Sequence, residues 1–180
     1  QKELLLQKIA SLQKTILKRT KTSEKEIQVT GKVYQIKDFS GKKWATRKDI
    51  FIDRIASAWL IRRFIDPKAR FVFVSKGTEK TPRGTVPFDM YGSEFTHHGE
   101  DCTFETLMKA FDLKDTALQS IAEIVHDIDL KDNKYGRKEA EGLAQIITGL
   151  SQKLKDDNKL LEKGQEIFDA LYEYYVVRRT

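Results

Sequence analysis

The second half of the chain carries apolar residues at helical spacing almost without a break, which confines any sheet to the first half. Residues 116–128 place Leu118, Ile121, Ala122, Ile124, Val125 and Ile128 along one side of a helix. Residues 138–154 continue the pattern, weakly interrupted by Gly142 and Gly149. Residues 158–177 form a last helix that turns Leu160, Leu161, Ile167, Phe168, Leu171, Tyr172 and Tyr175 towards a core. A short helix over residues 104–111 precedes these, with Thr103 as its expected N-cap.

The first half is more varied. Residues 53–65 read as a helix that stops before Pro67, because a proline disfavours helical backbone in the residue before it. The run Arg-Phe-Val-Phe-Val-Ser at 70–75 is rich in aromatic and β-branched residues, as strands are. Ile27, Val29, Val33 and Ile36, broken by Gly31, suggest short extended segments. Residues 40–43 read as a turn, 77–87 as a loop and Phe88-Asp89-Met90 as a second short strand. The expected fold class is α+β, predominantly α-helical with a small β-sheet in the first half.

The chain divides into residues 1–30, an amino-terminal helix and linker, and residues 31–180, the main domain. Leu5, Ile9, Leu12 and Ile16 make one apolar seam. About two heptads are too few for a stable coiled coil alone. The seam therefore needs the body, a second copy in a homodimer, or an upstream domain. The first 22 residues hold six Lys/Arg against one Glu, in a chain of net charge +6, so most of the basic excess lies there. A run of that kind is read as a solvated face before it is read as a nucleic-acid contact. Hydrophobic residues make up 39%, enough for a core at this length. The single cysteine excludes an internal disulfide framework. No transmembrane segment and no signal peptide is visible. The expectation is a cytoplasmic protein, with an exported form left open.

Chemistry concentrates in two patches. All three histidines and Cys102 lie in His97-His98-Gly99-Glu100-Asp101-Cys102 and in His126-Asp127-Ile128-Asp129 with Lys131-Asp132 behind it. Imidazole, carboxylate and thiolate are the side chains that bind transition metals. A loop and a helix end can converge on one ion, so His97, Glu100, His126 and Asp127 are the expected metal ligands or their immediate shell. Cys102 and Asp129 fall outside that set. The competing reading is that His126 and Asp127 simply complete a helix carboxyl end. A His-Asp doublet with a histidine upstream also echoes the HD-type metal phosphohydrolases. Arg54 and Arg62 stand eight apart on the helix from Asp53, with small Ala58 between them on the same stripe. They are the expected anion clamp, since guanidinium groups suit tetrahedral oxyanions. The alternative is that Arg54 pairs with a buried acid such as Asp53 or Asp89. Trp59 is read as core.

These residues, in this order, resemble a known family. Trp44-Ala-Thr-Arg47, the segment from Asp53 through Trp59 and Phe64 to Pro67, and Phe71-Val-Phe-Val74 look like the start of the chromate-resistance domain of ChrB-type proteins. Pro87-Phe-Asp89, Thr96-His-His-Gly-Glu100 with Cys102 and Phe104, Ile124 to Leu130, and Phe168-Asp-Ala-Leu-Tyr172 agree with it. The resemblance covers about residues 43–176. It implies a link to chromate resistance. Some such proteins are chromate-responsive transcription regulators in which a DNA-binding region precedes this domain, so nucleic acid enters only with such a region. In some members the positions of His98 and His126 look like Arg, which favours His97 over His98.

The resulting expectation is a domain that binds a metal ion, an oxyanion of the chromate type, or both, in a sensing or resistance role. The cofactor would be a divalent transition metal: zinc, iron or manganese. The alternatives are a metal-dependent hydrolase or redox enzyme, and an interaction module acting through the amino-terminal helix.

Overall fold

A computed structural model describes residues 32–75 and 81–178. The expectations for residues 1–30, including the Leu5–Ile16 seam, lie outside the described residues. Within them, three strands and five α-helices bear out an α+β fold that is mostly helical. Strand β1 is Lys43–Arg47, β2 is Arg70–Val74 and β3 is Thr85–Pro87. They form a parallel sheet in the order β2-β1-β3. Helix α1 is Ile52–Leu60, α2 is Thr103–Ala110, α3 is Thr116–Leu130, α4 is Glu139–Lys153 and α5 is Asp157–Val177.

The central strand β1 buries three successive residues, Trp44, Ala45 and Thr46. A parallel strand covered on both faces has no polar side to show, which is why it carried no alternation. Two expected strands differ. Residues Ile36–Phe39 form a 3-10 turn, since Val33 and Ile36 are exposed and find no sheet partner. The strand expected at Phe88-Asp89-Met90 lies earlier, at Thr85–Pro87; Phe88, just past its end, donates its amide to the Ala45 carbonyl at 2.9 Å and bridges to Phe95.

Helix α1 continues into a π-helical turn, Ile61–Ile65, closed by the Asp66 amide donating to the Ile61 carbonyl at 2.7 Å. It ends before Pro67, as the sequence indicates. Buried Asp66 then ties this end to the start of β1. Its carboxylate accepts the backbone N–H groups of Gly41 and Lys42, each at 2.8 Å, and the Trp44 indole N–H at 3.2 Å. Gly41 turns with φ of +71°, a conformation that costs glycine little.

The buried face of α1 holds Ile52, Ile55, Ala56, Trp59 and Leu60 and packs on α2, α3 and α5. Trp59 is core, stacked with Phe104 and tilted against Phe168. Its indole N–H donates to Asp169 on α5 at 2.8 Å. Gly164 of α5 lies where α1 crosses: a Cβ there would overlap Cγ2 of Ile55. Overpacking of a core contact costs about 1–3 kcal/mol, while replacing a helical glycine by alanine recovers about 1 kcal/mol of propensity. The clash with a β-branched side chain puts the cost towards the upper end, so Gly164→Ala is expected to destabilise by up to about 2 kcal/mol in denaturant unfolding. An unchanged midpoint would mean that α1 and α5 separate without cost.

Candidate functional site

The site is built on Asp53, the second residue of α1, which is 3% exposed. Its Oδ1 accepts the Phe104 amide at 3.0 Å and faces Ser57 Oγ at 3.4 Å. Its Oδ2 accepts the Thr103 amide at 3.0 Å. The carboxylate thus sits in the first turn of α1 and at the amino end of α2. Both helix dipoles favour a negative charge there.

His97 reaches the same carboxylate from the loop before α2. Its Nε2 lies 3.1 Å from Asp53 Oδ2 and 3.2 Å from Asp129 Oδ2, which comes from the end of α3. Asp89 Oδ1 is 3.8 Å away. One nitrogen, with one proton, therefore faces oxygens of three carboxylates. The hydrogen bonds to Asp129 and Asp53 raise the imidazole pKa to about 10, against the effect of burial. Asp89 is held in a left-handed conformation, φ +45°. Its pKa is raised by burial and by the Asp53 charge, despite the pull of Arg54. Arg54 Nε lies 2.5 Å from Asp89 Oδ2, an ion pair by distance whose N–H is not aimed along the contact. Arg47 lies farther out, 3.9 Å from the same oxygen and 43% exposed.

A second group lies beside the first. Cys102 is the N-cap of α2, in place of the expected Thr103, which is the first helical residue. The Cys102 amide donates to Glu105 Oε2 at 2.9 Å. Fully buried His126 of α3 places Nδ1 2.7 Å from the same oxygen and Nε2 3.2 Å from Asp132 Oδ2. Burial opposes protonation of His126, and the bonds to Glu105 and Asp132 outweigh it, so its pKa is raised. Burial and the Asp53 and Glu105 charges push the Cys102 thiol far up. As a neutral thiol it is no nucleophile.

The four residues expected to share one ion are thus distributed. His97 joins Asp53 and Asp129, and His126 joins Cys102 and Glu105. The Glu100 carboxylate is exposed and pairs with Lys134 at 3.3 Å. Asp127 accepts the amides of Tyr135 at 2.9 Å and Arg137 at 2.8 Å, and so shapes the turn after α3. Arg54 takes Asp89 as its partner. Arg62 donates to Gln165 at 2.7 Å and lies over the Phe71 ring, so each of the two arginines has protein partners of its own. Asp53, Asp89 and Glu105 are site carboxylates that the two histidine-bearing patches do not contain. A usable signal existed at Asp53: an acid in the first turn of a helix whose flanking Ile52, Ile55 and Ala56 are all apolar.

Fold and site together define a small helix-rich α+β domain organised around buried carboxylate–imidazole groups. Residues 44–175 match the family described as the ChrB C-terminal domain, and the chain belongs to that family. Protein ChrB of Cupriavidus metallidurans is 35% identical over 138 residues, which is 76% of this chain and 42% of that protein. The chain therefore spans less than half the length of that relative. No solved structure matches. All the groups described above fall inside the matched region. No helix among the described residues is long and apolar enough to cross a membrane.

His97 makes stability depend on pH. Its folded pKa of about 10 lies above the ordinary value of 6.5, so its contribution is complete below pH 6.5 and is lost as pH rises through 10. His126, also raised, adds the same sign. The protein is expected to be more stable to denaturant at pH 6 than at pH 9.5, and His97→Gln should shrink that difference. A slope unchanged by the substitution would assign it elsewhere.

Proposed function

We propose that this domain binds one divalent transition-metal ion between Asp53, His97 and Asp129, with Asp89 beside it, in a role related to chromate resistance. The observation that carries the reading is the single His97 Nε2 shared by carboxylates from α1 and α3 at 3.1 and 3.2 Å. A proton serves two such oxygens poorly, whereas a divalent cation serves several at once. Ligands about 2.1 Å from a metal stand about 3.0 Å apart along an octahedral edge, close to these separations. Two carboxylate oxygens and one imidazole nitrogen suit manganese, iron or zinc.

The charge balance supports an anion as the second partner. Three carboxylates, Arg47, Arg54 and a protonated His97 make the metal-free group formally neutral. A divalent ion in place of the imidazole proton leaves one positive charge. Arg47, His97 and Asp129 are the members that meet solvent. An oxyanion of the chromate type would therefore approach from that side, drawn by the ion and the Arg47 guanidinium. Membership of the ChrB family supports the resistance context. A sensing role would couple this binding to whatever the domain is attached to.

The test is metal titration of stripped protein by calorimetry. Mn²⁺, the hardest of the three ions, should bind the wild type. Its affinity should fall at least tenfold in His97→Ala and in Asp129→Asn. Unchanged Mn²⁺ affinity in both variants would rule the group out. Chromate should then bind the loaded protein more tightly than the stripped one, and Arg47→Ala should reduce that gain.

A further inference from the structure

Cys102, Glu105 and His126 are left over from this reading, and they are unlike the Asp53 group in chemistry. They bring a sulfur, a carboxylate oxygen and an imidazole nitrogen within 4.8 Å of one another, all from buried residues. Cysteine is not a favoured N-cap residue, since serine, threonine or aspartate caps a helix better. Its sulfur accepts the Glu105 amide in a capping box that the Glu105 carboxylate completes, a task an oxygen performs better, and the same sulfur faces His126 and Glu105 as a ligand atom would. We propose that Cys102, Glu105 and His126 form a second metal site, selective for a thiophilic ion of the zinc type and separate from the Asp53–His97–Asp129 site.

The surroundings are those of a prepared ligand set. His126 turns Nδ1 towards Glu105, while its Nε2 faces Asp132 Oδ2 at 3.2 Å. A ligating imidazole usually donates its far N–H to a carboxylate in this way, which fixes the ring and raises its basicity. Glu105 has a matching support: the Tyr135 hydroxyl donates to its Oε1 at 3.2 Å, leaving Oε2 towards the sulfur and imidazole side. Glu105 and Tyr135 also line a cavity of about 450 Å³, so the carboxylate is the member of the group nearest to open space.

Three protein ligands with one open position is an established zinc arrangement, and thiolate with imidazole selects zinc or cobalt over manganese. Binding replaces the Cys102 S–H bond by a sulfur–metal bond, and the proton leaves to solvent. His126 Nδ1 likewise gives up any proton it carries. The 2.7 Å contact between His126 and Glu105 is then no longer a hydrogen bond. The two atoms must separate to about 3.4 Å, the edge of a tetrahedral site with ligands near 2.1 Å.

Cobalt(II) distinguishes the two sites, because only the cysteine site can give a thiolate-to-cobalt charge-transfer band in the near ultraviolet. Stripped wild-type protein titrated with Co²⁺ should develop this band, and Zn²⁺ should bleach it. Cys102→Ser, which keeps a good N-cap and so should fold, should lose the band and one equivalent of bound cobalt. Asp132→Asn touches no metal and acts by positioning His126. It should retain the band while requiring roughly tenfold more cobalt. His97→Ala should leave the band intact whether or not the Asp53 group binds metal, so the two readings fail separately. A wild-type titration without the band, or a band that survives Cys102→Ser, overturns the proposal.

Discussion

The carboxylate of Asp53 is the contact on which the arrangement depends. A buried carboxylate without partners is costly, and here the partners are also the architecture. Two of them are the leading amides of α2, so satisfying Asp53 sets where α2 begins and how it approaches α1. The third, His97, fixes the loop that leads into α2. Removing this one side chain would leave two buried amides without their acceptor and His97 with Asp129 as its nearest carboxylate. An unmet buried donor costs about 1–3 kcal/mol.

The first turn of α2 is also where the two polar groups divide. The Cys102 amide goes to Glu105, while the amides of Thr103 and Phe104 go to Asp53. Neighbouring residues thus feed separate carboxylates. On one side the donor set is oxygen-rich and reaches solvent through His97 and Asp129. On the other it includes sulfur and is closed in by α3 and Tyr135. Their proximity makes each electrostatically aware of the other, since the Asp53 charge contributes to holding the Cys102 thiol neutral.

Much of the fold was legible because helices carry their period locally. The helix expected at 116–128 is α3 at Thr116–Leu130, and the last helix expected at 158–177 is α5 at Asp157–Val177. The strand expected at 70–75 is β2. What failed was short or had no period to show. β3 has three residues, and β1 is buried on both faces across Trp44, Ala45 and Thr46. The site was only half legible for a related reason. Composition pointed to His97 and His126 because histidine is scarce. Their partners lie 44 residues away at Asp53 and 21 away at Glu105, and no spacing rule spans such distances. Glu100 and Asp127 were favoured by adjacency, and adjacency in a loop or a helix end does not mean a shared direction.

The long reach of Asp53 bears on how the protein opens. Helix α2 has eight residues, too few to persist alone in water. The acceptor for its first free amides lies 50 residues earlier in the chain, on α1. The amino end of α2 therefore has no stable local form before α1 arrives. The two helices should gain and lose amide protection as a single cooperative unit, and both polar groups should assemble and come apart with it.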